Sequence, residues 1–233
     1  MKLARPNVFH PRIVLAGCPA LPKGDGDDAG LVAALGRHGL HARWLSWDDP
    51  ATLDADLVIL RATSDYADRL DEFLQWARRV RNLLNGPNVV AWNTDKRCLA
   101  DLADRGVPTV SRRSGADQTA LVFFGGQQSH AFTTAPILAP AEPDFELWDV
   151  GHAALAAAAA HLDMAPEELL YARVDVVGDR SDPRVLELQL VEPSLGWAQL
   201  DADTRDRQQR AFVVEVESAL ERLGLGPLPH RRP

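Results

Sequence analysis

The chain has 233 residues, of which 46% are hydrophobic and 25% are charged, and its formal net charge is −8. This balance is typical of a globular protein with one large domain or two small ones. The negative charge argues against nucleic acid and anionic membranes as partners, because both require a basic surface. The two cysteines, Cys18 and Cys98, cannot form a disulfide framework, so we expect a cytoplasmic protein.

The first half of the chain alternates short apolar runs with amphipathic stretches. Strands are predicted at 12–17, 41–47, 57–60 and 88–93, and helices at 29–38, 67–82 and 96–105. Asp28 is expected to cap the first helix. This alternation predicts a parallel, doubly wound sheet whose strand C-termini meet at one edge.

The second half has a different pattern. A hairpin is predicted across Gly125-Gly126, followed by an alanine-rich helix at 150–162. Two long strands at 169–178 and 184–193 precede a final helix at about 203–223. The α/β chain therefore divides into a predicted N-terminal Rossmann-like domain, 1–109, and a C-terminal lobe with an antiparallel sheet and helices, 110–233.

Polar side chains cluster on the two long strands of the second half. Because alternate residues of a strand face the same way, Val185, Glu187 and Gln189 are predicted to lie on the same face of the strand. The neighbouring strand can bring Asp175 beside them. Carboxylate and amide oxygens suit Mg²⁺, although a solvent-exposed sheet face is the more common explanation of such a pattern.

Five segments, in order along the chain, carry a family resemblance. The chain resembles the ATP-grasp ligases, in the group related to the cyclo-ligase that forms the D-cycloserine ring. The matching segments are VILRATSDY (58–66), WNTDKRCLADLADRGVP (92–108), LVFFGGQQSHAF (121–132), LYARVDVV (170–177) and LELQLVEPSL (186–195). The resemblance implies an N-terminal pre-ATP-grasp domain and an ATP-grasp lobe in which Asp175, Glu187 and Gln189 hold magnesium. It also makes Arg173 the candidate catalytic residue.

The chain departs from the family at its centre. In the family a whole lobe follows the GVP segment, with two lysines that contact the nucleotide and a strand that binds adenine. Here eleven residues, 110–120, separate Thr109 from Leu121, whereas such a lobe requires about 35–50 residues. No lysine follows Lys96, and we assign no phosphate role to Lys96 itself. In addition, Gln189 replaces a metal-binding carboxylate.

These departures predict a degenerate ATP-grasp protein without autonomous ligase activity. We expect it to bind a small amino-acid-like metabolite or a protein partner, and a homodimer that fills the groove left by the missing lobe is one such partnership. We also expect at most a weak Mg²⁺ site and no tight ATP binding. The alternative is a minimal carboxylate–amine ligase, dependent on ATP and Mg²⁺, that a partner or dimerisation completes. A relic retained only for its stability is a third interpretation.

The residues at the predicted sheet edge suggest where a ligand would bind. Open α/β sheets bind ligands at the C-terminal ends of their strands. Candidate substrate-binding residues at this edge are Arg61, Asp65, Tyr66, Trp92 and Asn93, joined by Ser194 from the second half. Arg61 would bind a carboxylate and Asp65 an amine; alternatively, Arg61 and Asp65 pair with each other.

The adjacent residues Ser129 and His130 form a further candidate pair. Neighbouring residues of a regular strand face opposite ways. We therefore expect Ser129 and His130 to have structural roles rather than to act together as nucleophile and base.

Overall fold

The computed structural model describes residues 10–95, 97–110, 118–135 and 137–226. Nine strands lie in this part of the chain: β1 (Ile13–Gly17), β2 (Ala42–Ser46), β3 (Leu57–Ala62), β4 (Leu83–Leu84), β5 (Gln118–Phe124), β6 (Gln127–Ala135), β7 (Ala139–Ala141), β8 (Tyr171–Val177) and β9 (Arg184–Gln189). The α-helices described are α1 (Leu31–Arg37), α2 (Leu70–Arg79), α3 (Pro87–Asn93), α4 (Cys98–Ala103), α5 (Phe145–Leu162) and α6 (Ala202–Arg222). No helix of these ranges is long and apolar enough to cross a membrane.

The strands form two sheets of the predicted kinds. A parallel sheet has the order β2-β1-β3-β4, and a five-stranded antiparallel sheet has the order β7-β6-β5-β8-β9. The predicted hairpin is confirmed, because β5 and β6 pair across Gly125 and Gly126, which both have positive φ. Glycine adopts this conformation at low cost, and two-residue hairpin loops require it.

One predicted strand is a helix. Residues 88–93 lie in α3, and the fourth strand of the parallel sheet is the two-residue β4. Pro87 stands at the first position of α3, where its fixed φ and missing N–H suit a helix. Val89 and Val90 are buried as part of α3, and a short apolar run of this kind does not by itself distinguish a buried strand from a buried helix.

The core joins the two predicted halves. One face of the parallel sheet packs on α2 in a cluster that includes Phe73 and Trp76. The other face packs against α1 and α6 and against β5 and β8, in a cluster that includes Leu15, Tyr171 and Phe212. A further cluster places α5 on the other face of the antiparallel sheet, together with Trp92 of α3. All three clusters therefore combine residues from both sides of position 109/110, the α2 cluster through Val191.

Hydrogen bonds from asparagine side chains also connect the halves. The amide of Asn85, which follows β4, donates to the carbonyl oxygens of Tyr171 and Leu190 at 2.8 and 2.7 Å. The amide of Asn93 donates to the carbonyl of Leu188 and accepts from the N–H of Leu190. These contacts fix β9 and the segment after it against the parallel-sheet half.

Candidate functional site

Strands β8 and β9 bring the predicted polar residues together. Asp175 lies opposite Glu187, and Arg173 lies opposite Gln189. Opposed residues of an antiparallel pair are about 4.5–5.5 Å apart at Cα. The predicted convergence of these four residues is confirmed, whereas their catalytic and metal-binding roles remain predictions.

The register of β9 changes at one position. Val176 pairs with Val185 while Asp175 pairs with Glu187, so Leu186 is an extra residue in a β-bulge. The bulge turns Val185 into the core beneath α5. The prediction that Val185 shares a face with Glu187 and Gln189 is therefore wrong, because strict alternation fails at a bulge.

Arg173 and Asp175 form a tightly held ion pair. Nε and Nη2 of Arg173 donate to Oδ1 and Oδ2 of Asp175 at 2.7 and 2.9 Å. The two side chains are only 11% and 5% exposed. The guanidinium also lies 5.1 Å from the ring centre of Phe132 and donates to the carbonyl of Ser194 at 3.4 Å. Both carboxylate oxygens of Asp175 are thus engaged by one cation, in the bidentate geometry that arginine favours.

This arrangement does not fit the magnesium site that the resemblance implies. Mg²⁺ requires free oxygen ligands in octahedral geometry, but Arg173 engages both oxygens of Asp175. Glu187 is exposed and Gln189 supplies an amide instead of a carboxylate. Within the described residues, no group of three or more histidine, cysteine, aspartate or glutamate side chains could hold a metal ion. The guanidinium of Arg173 therefore provides the positive charge beside Asp175 that a metal ion would provide in a magnesium site.

Arg61 does not point to a ligand crevice. Its side chain is 1% exposed, and its Nε donates to Oδ1 of Asp28 at 2.8 Å. Its Nη1 donates to the carbonyl of Pro193, and its guanidinium lies between the rings of Tyr171 and Trp197. Arg61 is therefore held within the core. The prediction that Arg61 binds the carboxylate of a ligand is wrong, and so is the alternative that it pairs with Asp65.

The other predicted edge residues lie in separate surroundings. Asp65 accepts from the indole of Trp47 at 2.8 Å, and Tyr66 stacks on Phe73. Trp92 donates to Asp101 and packs in the cluster under α5. Because Arg61, Tyr66 and Trp92 pack against three different hydrophobic clusters, the prediction of one zwitterion pocket lined by all five residues is wrong. Asn93 lies at the edge of β9, as described above.

Asp27 and Asp28 have structural roles that the sequence analysis did not predict. Asp28 was expected to cap α1, but the residue before that helix is Gly30, and Asp28 is buried against Arg61. Oδ2 of Asp27 accepts from the backbone N–H groups of Leu195 and Gly196, and Oδ1 accepts from the N–H of Ala198. We refer to Asp27, Asp28 and Arg61, with the segment 193–198 that Asp27 and Arg61 bind, as the aspartate clasp.

The clasp sets the position of Ser194. The hydroxyl of Ser194 donates to Oδ2 of Asp27 at 3.1 Å, while the carbonyl of Ser194 faces Arg173. Ser194 is exposed and lies beside the Arg173–Asp175 pair. Of the six predicted substrate-binding residues, Ser194 is the one whose contacts place it next to that pair.

Glu192 is a further residue whose role the sequence analysis missed. Its carboxylate accepts from the N–H and the hydroxyl of Thr63, at the C-terminal end of β3. Burial raises the pKa of Glu192 to about 7, despite the opposing effect of the Thr63 hydrogen bonds. Burial likewise raises the pKa of Asp28 to about 6, against the opposing charge of Arg61. Two carboxyl groups that titrate unusually high therefore lie where the two halves meet.

Comparison with known proteins identifies relatives of this chain. Residues 13–85 match the family model of the N-terminal domain of the D-cycloserine synthetase DcsG. The chain is 27% identical to the cycloserine biosynthesis protein DcsG of Streptomyces lavendulae, in a match that covers 73% of this chain and 88% of the relative. That alignment spans 264 positions, but 73% of 233 residues is only about 170. About 90 positions of the relative therefore have no counterpart within the matched range.

Solved structures show the same fold. The crystal structure of D-cycloserine synthetase DcsG aligns with a TM-score of 0.75 at 24% identity, covering 91% of this chain and 99% of that one. D-alanine–D-alanine ligase of Bacillus anthracis, solved in complex with ATP, aligns with a TM-score of 0.66 at 12% identity, covering 93% and 98%. The ATP-grasp ligase PsnB, solved with a precursor variant, Mg and ADP, aligns with a TM-score of 0.59 at 14% identity, covering 89% and 99%. The chain is thus similar in sequence to the cycloserine biosynthesis protein DcsG, and it shares the fold of these ligases.

Proposed function

We propose that this chain is a binding protein descended from an ATP-grasp carboxylate–amine ligase, and that it does not catalyse ATP-dependent ligation on its own. The observation that carries the proposal is the Arg173–Asp175 pair. Arginine engages both oxygens of the carboxylate that the resemblance assigns to magnesium. A bidentate pair that is largely excluded from water is costly to separate, so a metal ion would have to displace it.

The missing segment supports the same proposal. About 90 positions of DcsG lie opposite gaps in this chain, and no lysine follows Lys96. Transfer of a phosphoryl group depends on positioning and on neutralising the charge of the nucleotide phosphates. Loss of one such electrostatic contact costs about 10²–10³ in rate, so loss of a nucleotide-binding lobe would cost more.

The ligand of this binding protein is proposed from the groups beside the ion pair. Ser194 and Glu187 are exposed, and Glu187 lies directly opposite Asp175. A carboxylate and a hydroxyl are suited to an ammonium group, such as that of an amino-acid-like metabolite or of a lysine on a protein partner. Glu187→Gln should weaken such binding, whereas Glu215→Gln, on α6, serves as a control for the loss of one charge.

An alternative function follows from the retained register of Asp175 and Glu187. If a second copy or a separate protein supplies the missing lobe, the chain is half of a carboxylate–amine ligase. In that complex Arg173 would have to release Asp175, so that the carboxylate could bind Mg²⁺ and Arg173 could act as the catalytic residue that the resemblance implies. The homodimer that the sequence suggests is the simplest such complex.

The experiment that separates the two functions is an assay of ADP formation. The chain is incubated with ATP, Mg²⁺ and pairs of amino acids and amines over a wide range of protein concentration, with DcsG of Streptomyces lavendulae as the active reference. The proposal predicts no ADP above the rate without protein at any concentration. Turnover that rises more steeply than linearly with protein concentration would favour completion by dimerisation and would contradict the proposal.

A further inference from the structure

A β-bulge brings Ser129 and His130 onto the same side of β6. Val122 pairs with His130 and Phe123 pairs with Gln128, so Ser129 is the extra residue of the hairpin. Oγ of Ser129 lies 2.9 Å from Nδ1 of His130. The expectation that these neighbours face opposite ways is therefore wrong, for the same physical reason as in β9: a bulge breaks the alternation of side chains.

The hydrogen bonds fix the tautomer of His130. Its Nε2 lies 2.6 Å from the carbonyl oxygen of Leu195, and because a carbonyl only accepts, Nε2 carries a hydrogen. Burial lowers the pKa of His130, which favours the neutral ring at neutral pH. Nδ1 is then an acceptor, and the hydroxyl of Ser129 donates to it.

Gln208 of α6 completes the arrangement. Oε1 of its side-chain amide lies 2.6 Å from Oγ of Ser129, so that Oε1 and Nδ1 of His130 compete for the single hydroxyl hydrogen. Because the two ends of an amide are assigned from the hydrogen-bond network, we assign the NH₂ group of Gln208 to this position, where it donates to Oγ and leaves the hydroxyl hydrogen to His130. A donor at this position stabilises negative charge that develops on Oγ.

The pair opens onto a pocket between β6, β7 and the start of α6. The cavity has a volume of about 480 Å³ and its wall includes Trp148, Leu200 and Pro140. Ser129 and His130 both line it, and Glu142 and Asp201 contribute carboxylates to its surface. Its size and its mixed wall of apolar and polar side chains suit a small organic molecule, and its two carboxylates disfavour an anionic one.

We infer that Ser129 is a nucleophile with His130 as its general base, in a pocket that accepts small, neutral or cationic carboxylic esters. Oγ of Ser129 bonds to the carbonyl carbon while its proton passes to Nδ1 of His130. The alcohol then leaves with that proton, and an acyl-serine remains. Water, deprotonated by the same nitrogen, releases the carboxylic acid and restores Ser129. The carbonyl of Leu195 holds the imidazolium as the third group of a nucleophile–base arrangement.

The test uses the full chain and an alkyl fluorophosphonate, with adducts located by mass spectrometry of the intact protein and its peptides. Attack of Oγ on phosphorus forms an O–P bond and expels fluoride, and His130 accepts the proton. We expect a single adduct on Ser129, no adduct on Ser129→Ala, and labelling about 10²-fold slower in His130→Asn, as for loss of a general base. Ser46→Ala, a partly exposed serine of β2, should label like the parent.

His130→Asn also loses the hydrogen bond to Leu195 and could therefore misfold. A second variant provides a test that does not depend on that bond. Gln208→Leu leaves that bond intact and should slow labelling, because it removes the donor to Oγ. Release of 4-nitrophenol from 4-nitrophenyl acetate should fall in parallel in Ser129→Ala. The inference is overturned if the parent is not labelled at Ser129, or if Ser129→Ala is labelled and hydrolyses the ester at the parent's rate.

Discussion

Arg173 is the residue on which the account of the candidate site depends. It holds the buried carboxylate of Asp175 with two hydrogen bonds, and the ring of Phe132 lies against its guanidinium. A charge removed from water is tolerated only while its partner is present. Arg173 therefore stabilises this face of the sheet without any bound metal, whatever role it has toward a ligand.

Replacement of Arg173 by alanine should destabilise the protein by about 3–5 kcal/mol, because it leaves the carboxylate of Asp175 buried and unpaired. Millimolar Mg²⁺ should restore part of this loss, since Asp175 and Glu187 are then free to share a cation. The measurement is urea denaturation of the variant with and without Mg²⁺. Arg184→Ala, which removes an exposed pair with Asp182, should change stability by less than about 1 kcal/mol. Equal stability of Arg173→Ala and the parent under both conditions would contradict the account.

Glu192 should make the protein less stable as the pH rises. Its folded-state pKa of about 7 lies above the unfolded value of about 4.3. Its contribution to stability is therefore fully present below about pH 4.3 and is lost as the pH rises through about 7. Glu192→Gln keeps the acceptor for Thr63 and removes the titration, so between pH 5 and pH 8 it should lose about 1–3 kcal/mol less stability than the parent. Identical pH profiles in denaturation experiments would show that Glu192 titrates normally.

At the scale of elements, the segment 193–198 is positioned by four side chains that lie in different parts of the sequence. Asp27 accepts from three of its backbone N–H groups, Arg61 binds the carbonyl of Pro193, and Arg173 and His130 contact the carbonyls of Ser194 and Leu195. This segment links the N-terminal loop to the face that carries Asp175. The conformation of the segment 193–198 should therefore depend on individual polar residues that are distant from it in sequence.

Asp27→Ala should loosen the segment 193–198 and cost about 2–3 kcal/mol, because it leaves several backbone donors without their acceptor. Hydrogen exchange followed by mass spectrometry should show faster exchange at Leu195, Gly196 and Ala198. Asp179→Ala is a matched control, since Asp179 accepts from Ser181 within an exposed turn. If exchange in 193–198 is unchanged in Asp27→Ala, the aspartate clasp does not hold the segment.

Gly196 should be intolerant of a side chain. Its φ is +70°, and an added Cβ would lie 2.4 Å from the ring of Phe132, which supports Arg173. Gly196→Ala should cost about 2–4 kcal/mol, as backbone strain and a steric clash add. Gly106→Ala isolates the backbone contribution, because Gly106 has φ +85° with nothing within 4 Å of the added Cβ, and should cost about 1 kcal/mol. Equal melting temperatures of the two variants would contradict the predicted contact with Phe132.

At the scale of the whole molecule, the two predicted halves share their hydrophobic interior. Helix α6 contributes Phe212 and Val216 to a cluster that also contains Leu15 of β1 and Phe124 of β5. The boundary at 109/110 was predicted from the change in strand pattern, and it remains a prediction. The shared clusters indicate that the halves stabilise each other.

The sequence predicted the parts of the fold that depend on regular periodicity. The parallel sheet, the Gly125-Gly126 hairpin and the facing positions of Asp175 and Glu187 follow from alternation and turn chemistry. Features that depend on tertiary contacts could not be predicted in this way. The bulges at Leu186 and Ser129 change which side of the strand the neighbouring side chains face. Asp28 does not cap α1 because it pairs with Arg61, which is distant along the chain.

Calorimetric titration of the chain with ATP in the presence of Mg²⁺ tests the central claim most directly. The account predicts a dissociation constant no tighter than about 1 mM, roughly −4 kcal/mol, because Arg173 engages the carboxylate that the resemblance assigns to magnesium and about 90 positions of DcsG lack a counterpart here. DcsG of Streptomyces lavendulae, titrated under the same conditions, provides the reference. Micromolar binding of ATP to the isolated chain would contradict the account.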